Sequence, residues 1–339
     1  MNSHKSPELL DSRLSNEFLR RLDRYMGDYD PSSTFANKYL NWYEDHSGRR
    51  SDWFRTDLIW RLELTRPLAG RKVLDFGCGT GSSSVVLADR GAEVVGVETE
   101  QISIDVATQR AKDLRVEERC SFVRIPYING QSGALPFRDE SFDLCILIGV
   151  LEHMKPSERI ACAAEINRVL KAEGDVFIFD TPNRAHPKDH HTTQLWFVGW
   201  MPESVARRYA ILRQRFEQNQ DFRRYGGNGV SRSQIDHLFP PRAWRVTYEK
   251  SAEEVTGEFE RLLNQSTILP TPFRKTANWW AKVATRQFLK VVKFLGCRPT
   301  YWTASHTICF TKLPDIDTAS GANCKQELDR RSMTAGKKN

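Results

Sequence analysis

The sequence predicts an α/β protein: a doubly wound, Rossmann-like, mostly parallel sheet, preceded by N-terminal helices and interrupted by helical insertions. Three observations predict it. From about Lys72 to Asn183, short apolar runs alternate with helical segments, the rhythm of a parallel sheet with helices on both faces. The first run ends in a turn with glycine at every second position, VLDFGCGTG (residues 73–81). The second, EVVGVE, ends on an acid, Glu98, roughly 20 residues further on.

The elements follow in order. Before Gly70, apolar and aromatic residues recur at helical spacing: Leu14, Phe18, Leu19, Leu22 and Tyr25, then Tyr39, Leu40, Trp42 and Tyr43, then Trp53, Phe54, Leu58, Ile59 and Leu62. Residues 1–67 are therefore expected to form a helical cap that closes over the cleft. VLDFG is the first strand, with a helix over about 82–90 behind it. EVVGVE is the second, followed by a helix over about 102–114. SFVRIPY and FDLCILIG are the third and fourth strands. Pro156 opens the next helix at an N1-like position, Gly174 is expected to close it, and DVFIFDTPN is the fifth strand.

After that strand the alternation is lost. A loop rich in histidine and proline, PNRAHPKDHH, leads into LWFVGWMP and a basic helical segment, RRYAILRQRFEQ. A short helix is expected at SRSQIDHLF, a sixth strand at WRVTYE and a seventh at ASHTICFTK. Long insertions between strands carry structure or function of their own. The main domain is thus expected over residues 68–313, with helical insertions at about 184–240 and 252–300, and residues 314–339 as a polar, disordered tail.

Composition narrows the class. A chain of 339 residues with 40% hydrophobic content can bury a sizeable core. No run of about 18 apolar residues is present, and the opening MNSHKSPELLDSRL lacks the apolar core of a secretion signal, so a cytoplasmic location is expected. The seven cysteines are scattered and never paired as C-x-x-C, which indicates neither a disulfide framework nor a zinc site. The net charge of +7 is spread along the chain rather than gathered in one stripe, so nucleic acid is not an expected partner.

The glycines have a chemical reading. In an open parallel sheet the ligand lies at the carboxyl ends of the strands, where strand order reverses, and the first strand-to-helix turn lines that crevice. Gly77, Gly79 and Gly81 let a ligand touch the main chain there, and the next helix presents free amides. Glu98 is placed to bond both hydroxyls of a ribose. A dinucleotide would want G-x-G-x-x-G, but the pattern is G-x-G-x-G with Ser82 at the third site. Asp75 also suits a cationic ligand better than a pyrophosphate. The cofactor indicated is S-adenosyl-L-methionine.

The stretch 73–98, with ALPFRDESFDLCILIGVLEHM (134–154) and EINRVLKAEGDVFIFDTPN (165–183), resembles the class I S-adenosylmethionine-dependent methyltransferases. The likeness covers about 68–183 and lies with the small-molecule branch, similar to quinone-pathway O-methyltransferases. By that resemblance Asp75 and the turn of Gly77, Cys78, Gly79 and Gly81 hold the methionine part, and Glu98 the ribose. The main chain from Ile148 through Gly149 to Val150 receives the ammonium, and Leu135 covers one adenine face. Many relatives carry an aspartate four residues before that leucine; Gln131 stands there, with an amide oxygen that accepts the same hydrogen bond.

Methyl transfer from a sulfonium needs alignment, exclusion of water and a nucleophile freed of its proton. The loop after the fifth strand holds His186, Asp189, His190 and His191. A proton acceptor is expected at His190 or His191, with His153 of LEHM as a second candidate. The same side chains would equally serve to cap the next helix or to anchor Trp196 and Trp200. The spacing of Asp189 among the histidines matches no familiar ligand geometry, so no metal is expected. The fourth strand is followed by GVLEHM rather than N/D-P-P-Y/F, and Cys145 lies inside that strand, which argues against base-nitrogen and cytosine-carbon acceptors.

Residues 278–296, NWWAKVATRQFLKVVKFLG, have an apolar face and a basic face. That pattern suits peripheral membrane contact, and equally a helix covering the protein's own core. The expected reaction is methylation, at oxygen, of a small organic or lipid-linked acceptor. The alternatives are an RNA or protein methyltransferase, a nicotinamide-dependent oxidoreductase, and a noncatalytic binding module of the same fold.

Overall fold

The computed structural model describes residues 11–27, 43–125, 127–128, 131–132, 134–218, 221–251, 254–255, 283, 287 and 303–314. Its strands are β1 (Lys72–Phe76), β2 (Glu93–Glu98), β3 (Cys120–Arg124), β4 (Tyr127–Ile128), β5 (Gln131–Ser132), β6 (Phe142–Ile148), β7 (Leu170–Pro182), β8 (Trp244–Glu249) and β9 (Ser305–Lys312). Seven of them form one sheet in the order β3-β2-β1-β6-β7-β9-β8, and β4 and β5 make a separate small hairpin. β3, β2, β1, β6 and β7 run parallel, and β9 is antiparallel to both β7 and β8. Strand order reverses between β1 and β6, so the crevice expected from the sequence opens at their carboxyl ends.

The helices are α1 (Asn16–Met26), α3 (Ser82–Asp89), α4 (Gln101–Asp113), α5 (Pro156–Val169), α6 (Glu203–Leu212) and α7 (Arg232–Leu238). Between α1 and α3 lies α2, a helical run through Asp45–Arg49, Arg50–Trp53, Phe54–Leu58 and Ile59–Glu63. Side-chain alternation on the central strands divides the core in two. Leu74, Phe76, Cys145 and Leu147 face α5 and α7, burying Cys162, Ile166, Ile235 and Phe239. Val73, Leu144 and Ile146 face the other way, onto Val85 and Leu87 of α3 and Phe54, Leu58 and Leu62 of α2. Strands covered on both faces read as continuous apolar runs, as β6 does.

Three expectations differ from what is found. The segment expected to cap the cleft lies, in its α2 part, within the sheet's own core, and Arg61 reaches across to donate to the Tyr248 hydroxyl at 3.1 Å. The helix expected to end at Gly174 ends at Val169, because Leu170 is fully buried and already paired with Phe142. The register then jumps to Leu144 opposite Asp175, so residues 171–174 bulge out of β7, with Glu173 at φ +58°. In the basic segment, α6 stops at Leu212 and Gln214 takes φ +53°. The chain turns there to bury Phe216 against Leu195, Val198, Ala206, Ala210 and Phe222.

Cys78, Cys120, Cys145, Cys162 and Cys309 are free and buried. Among the described residues, no helix is long and apolar enough to cross a membrane. The expected amphipathic helix at 278–296 lies outside the described residues, apart from 283 and 287, and the expected tail lies outside them from 315 onward.

Candidate functional site

Two groups of side chains meet at the carboxyl edge of the sheet. The first is built on the β1 turn. Gly77 and Cys78 both donate to Val97 O of β2, at 2.9 and 3.1 Å, and Gly81 closes the turn onto Cys78 O at 2.9 Å. Gly79 donates to Glu98 Oε2 at 3.1 Å, while Glu98 Oε1 accepts from Thr99 N at 2.6 Å. The turn and the acid predicted to hold a ribose are therefore one hydrogen-bonded unit.

Two glycines in this turn are needed for different reasons. Gly81, at φ +76°, would press a Cβ to 2.8 Å from Ala107 Cβ and 3.0 Å from the Phe122 ring, so its bareness lets α4 and β3 close in. Gly79, at φ +52°, would meet nothing within 4 Å. The space above it is open, as a main chain touched by a ligand requires.

Asp75 lies beneath the turn, almost wholly buried. Burial pushes its carboxyl up to about 6, against the Ser83 and Ser84 hydroxyls that donate to Oδ2 at 2.6 Å each. The Cys78 thiol is also held protonated by burial, its pKa raised well above the ordinary value, and its Sγ fills the space beside Gly96. On the far side, Gly149 donates to Phe179 O at 3.1 Å, so the 148–150 segment is fixed to the end of β7. Leu135 is buried and its N–H donates to Glu165 Oε2 at 2.8 Å. Gln131 is described as backbone only, paired with Ile128 in the β4–β5 hairpin.

Sequence reasoning did not find what fastens the N-terminal helices to this turn. Arg110 of α4, 1% exposed, donates to Thr80 O at 2.9 Å and to His46 O at 2.5 Å, and its guanidinium lies 4.7 Å from the Phe18 ring. His46 in turn sits 2.8 Å from Thr80 Oγ1 through its Nδ1. Only packing shows this long cationic side chain turned inward.

The second group sits where β6 and β7 end. A 3-10 turn, Leu151–His153, follows β6, and the loop after β7 returns to it. Glu152 is buried and neither of its carboxylate oxygens has a hydrogen-bond partner. Burial pushes its carboxyl up to about 8. His153 Nε2 lies 3.9 Å from Glu152 Oε1, and the His153 and His191 ring centroids are 6.0 Å apart. Glu152, His153 and His191 each bring a possible ligand atom within 4.8 Å of the others.

The remaining loop residues have other partners. Asp189 accepts from the N–H groups of His191, Thr192 and Thr193 at 2.9, 3.0 and 2.6 Å, and from the Thr193 hydroxyl at 2.7 Å. Its carboxylate is used in shaping the loop. The His186 and His190 rings stack obliquely at 5.0 Å, and burial, with His186 beside it, lowers His190 to about 4. Gly226 leaves room for the His191 ring, whose Nδ1 would lie 2.7 Å from a Cβ there. Glu152 is a second residue that sequence reasoning missed. Its signal was an acid in the turn four residues past an apolar strand, in GVLEHM.

Residues 74–178 match the family described as a methyltransferase domain. A demethylmenaquinone methyltransferase from Clavibacter sepedonicus is 36% identical over 37% of this chain and 49% of its own length. A ubiquinone biosynthesis O-methyltransferase from Idiomarina loihiensis is 36% identical over 44% of this chain and 58% of its own. A cypemycin N-terminal methyltransferase from a Streptomyces species is 35% identical over 36% of this chain and 46% of its own. The chain spans about half the length of the curated relatives it matches.

Proposed function

We propose that this chain, which carries a methyltransferase domain over residues 74–178, transfers the methyl group of S-adenosylmethionine to oxygen on a small organic or lipid-linked acceptor. The observation that carries the reading is the joined unit of Gly79 and Glu98, with open space above the glycine. The residues fit that cofactor. Glu98 offers a carboxylate to a ribose diol, the main chain of the 77–81 turn lies bare, and the 148–150 segment borders the same crevice. Gln131 and Leu135 border the adenine end.

When bound, the cofactor supplies an electrophilic methyl carbon on a sulfonium. The chain's own part is alignment and exclusion of water. The loop carrying His190 and His191 and the turn carrying His153 bound the acceptor side, and the hydroxyl proton leaves there. The name of the ubiquinone biosynthesis O-methyltransferase relative supports an oxygen acceptor, and the cypemycin enzyme's name makes an N-terminal amine the competing outcome. We place the protein in the cytoplasm, with residues 278–296 as the segment that meets a membrane if the acceptor is lipid-linked.

Isothermal titration of the full chain with S-adenosylhomocysteine tests the reading. Binding in the micromolar range is expected, and a folded sample that takes up none at high micromolar ligand would overturn it. A tritiated-methyl assay against lipid, polar-metabolite, RNA and protein fractions then sorts the acceptor. Label in the polar or lipid fraction supports the proposal, and label in RNA or protein refutes the acceptor class.

A further inference from the structure

The geometry points to a divalent transition-metal site made by Glu152, His153 and His191, at the mouth of the crevice on the acceptor side. This inference deepens the proposed function and rests on it for its chemical purpose, though not for its test.

The sequence brings the three residues from two separate elements. Glu152 and His153 are adjacent in the turn after β6, and His191 arrives in the loop after β7. Their possible ligand atoms already lie within 4.8 Å of one another. Zinc-class ions bind imidazole nitrogen and carboxylate oxygen at about 2.0–2.2 Å, which places ligand atoms of a tetrahedral site roughly 3.4 Å apart. Closing the difference takes small rotations of two exposed imidazoles over a fixed carboxylate.

A second, independent observation is the state of Glu152. A buried carboxylate is ordinarily hydrogen-bonded or paired, since leaving it bare is costly. Both oxygens of Glu152 lack a hydrogen-bond partner, while the residue is 1% exposed. A cation held between it and the two imidazoles meets that unspent bonding capacity. The polar arrangement is also graded in the right direction. Glu152 forms the floor, and His153 and His191 are exposed above it, which gives an ion a path of entry.

The donor set selects the ion class. Two imidazoles with one carboxylate suit zinc, iron, cobalt or manganese, whereas magnesium favours all-oxygen sites with several waters. Three protein ligands leave one or more positions open, the pattern of a catalytic rather than a structural site. An acceptor hydroxyl taking an open position would be polarised there and lose its proton to solvent more readily. Its oxygen lone pair then forms the bond to the methyl carbon as the carbon–sulfur bond of the sulfonium breaks.

The test uses the untagged full chain, stripped with EDTA and titrated with Co²⁺, whose visible absorption reports its ligands. One Co²⁺ per chain, displaced by Zn²⁺ and not by millimolar Mg²⁺, is expected. His191→Ala and Glu152→Gln should each weaken uptake about tenfold or more, whereas His237→Ala, an exposed histidine of α7, should leave it unchanged. His191 is exposed, so its variant keeps the fold, and an unchanged urea midpoint verifies this. No uptake by the wild-type chain below 100 µM Co²⁺, or uptake unaffected by both cluster variants, would overturn the site. Because the titration needs neither cofactor nor acceptor, its failure is distinct from failure of the methyltransferase reading.

Discussion

The Gly79 N–H donates to Glu98 Oε2 at 3.1 Å, so the bare turn after β1 and the acid ending β2 form one preassembled unit. Strand pairing sets this up: Phe76 lies opposite Val97, which brings the residues just past each strand end together.

Removing the charge of Glu98 should therefore act on ligand binding and leave the fold alone. A charge-assisted hydrogen bond contributes about 1.5–3 kcal/mol. Glu98→Gln is expected to weaken S-adenosylhomocysteine binding roughly 10- to 100-fold in calorimetry, with little change in melting temperature. Affinity within threefold of wild type would remove Glu98 from the ribose-binding role.

The two glycines of the turn should separate stability from binding. Both substitutions to alanine place a side chain in the left-handed region, at about 1–2 kcal/mol. In Gly81→Ala the new Cβ also meets Ala107 Cβ at 2.8 Å, which adds roughly 1–3 kcal/mol of overpacking. Gly79→Ala meets nothing within 4 Å and should carry only that backbone cost, less than Gly81→Ala, yet lose ligand affinity as its methyl enters the open space. Urea melts and calorimetry on the pair distinguish these outcomes; equal destabilisation of both would contradict them.

Asp75 predicts a pH dependence. Burial raises its folded-state value from 3.8 to about 6, so the folded protein holds more protons than the unfolded chain between those limits. Its contribution to stability is full below about pH 4 and is lost as pH rises through about 6, a change of ~3 kcal/mol for a shift of this size. Asp75→Asn abolishes that titration. The stability difference, variant minus wild type, should grow more favourable to the variant between pH 4.5 and 7.5, as read from urea midpoints. A pH-independent difference would show that Asp75 ionises normally in the fold.

Asp175 holds β7 to its neighbours. Its carboxylate accepts from Arg71 Nη2 at 2.7 Å and from the Thr311 hydroxyl at 2.6 Å, all three being buried. Asp175→Ala strands the Arg71 guanidinium and should destabilise the protein by about 3–5 kcal/mol. Adding Arg71→Met should restore part of that loss, and a double-mutant cycle measures how much. Additive losses would mean the pair is not coupled.

Much of the first site was legible in the residues. Strand and helix alternation, the turn 73–81 and Glu98 are local patterns with fixed periods, and the sheet's strand pairing carries them to one edge with no further instruction. The acceptor side was less legible. PNRAHPKDHH showed three histidines and an aspartate in a row, but not that Asp189 is used by the loop's own amides. Nor did it show that His190 leans on His186 while His191 meets His153.

By itself, then, the sequence determined the parallel sheet, its carboxyl edge and the residues that line the β1 turn, because backbone periodicity and glycine chemistry act over a few neighbouring residues. Tertiary structure alone decided that Glu152 is buried with its oxygens unpaired and that Arg110 turns inward to tie the N-terminal helices to Thr80. Such outcomes depend on which distant segments come to cover a side chain. Burial and partnership are properties of the packed chain, and no local run of residues encodes them.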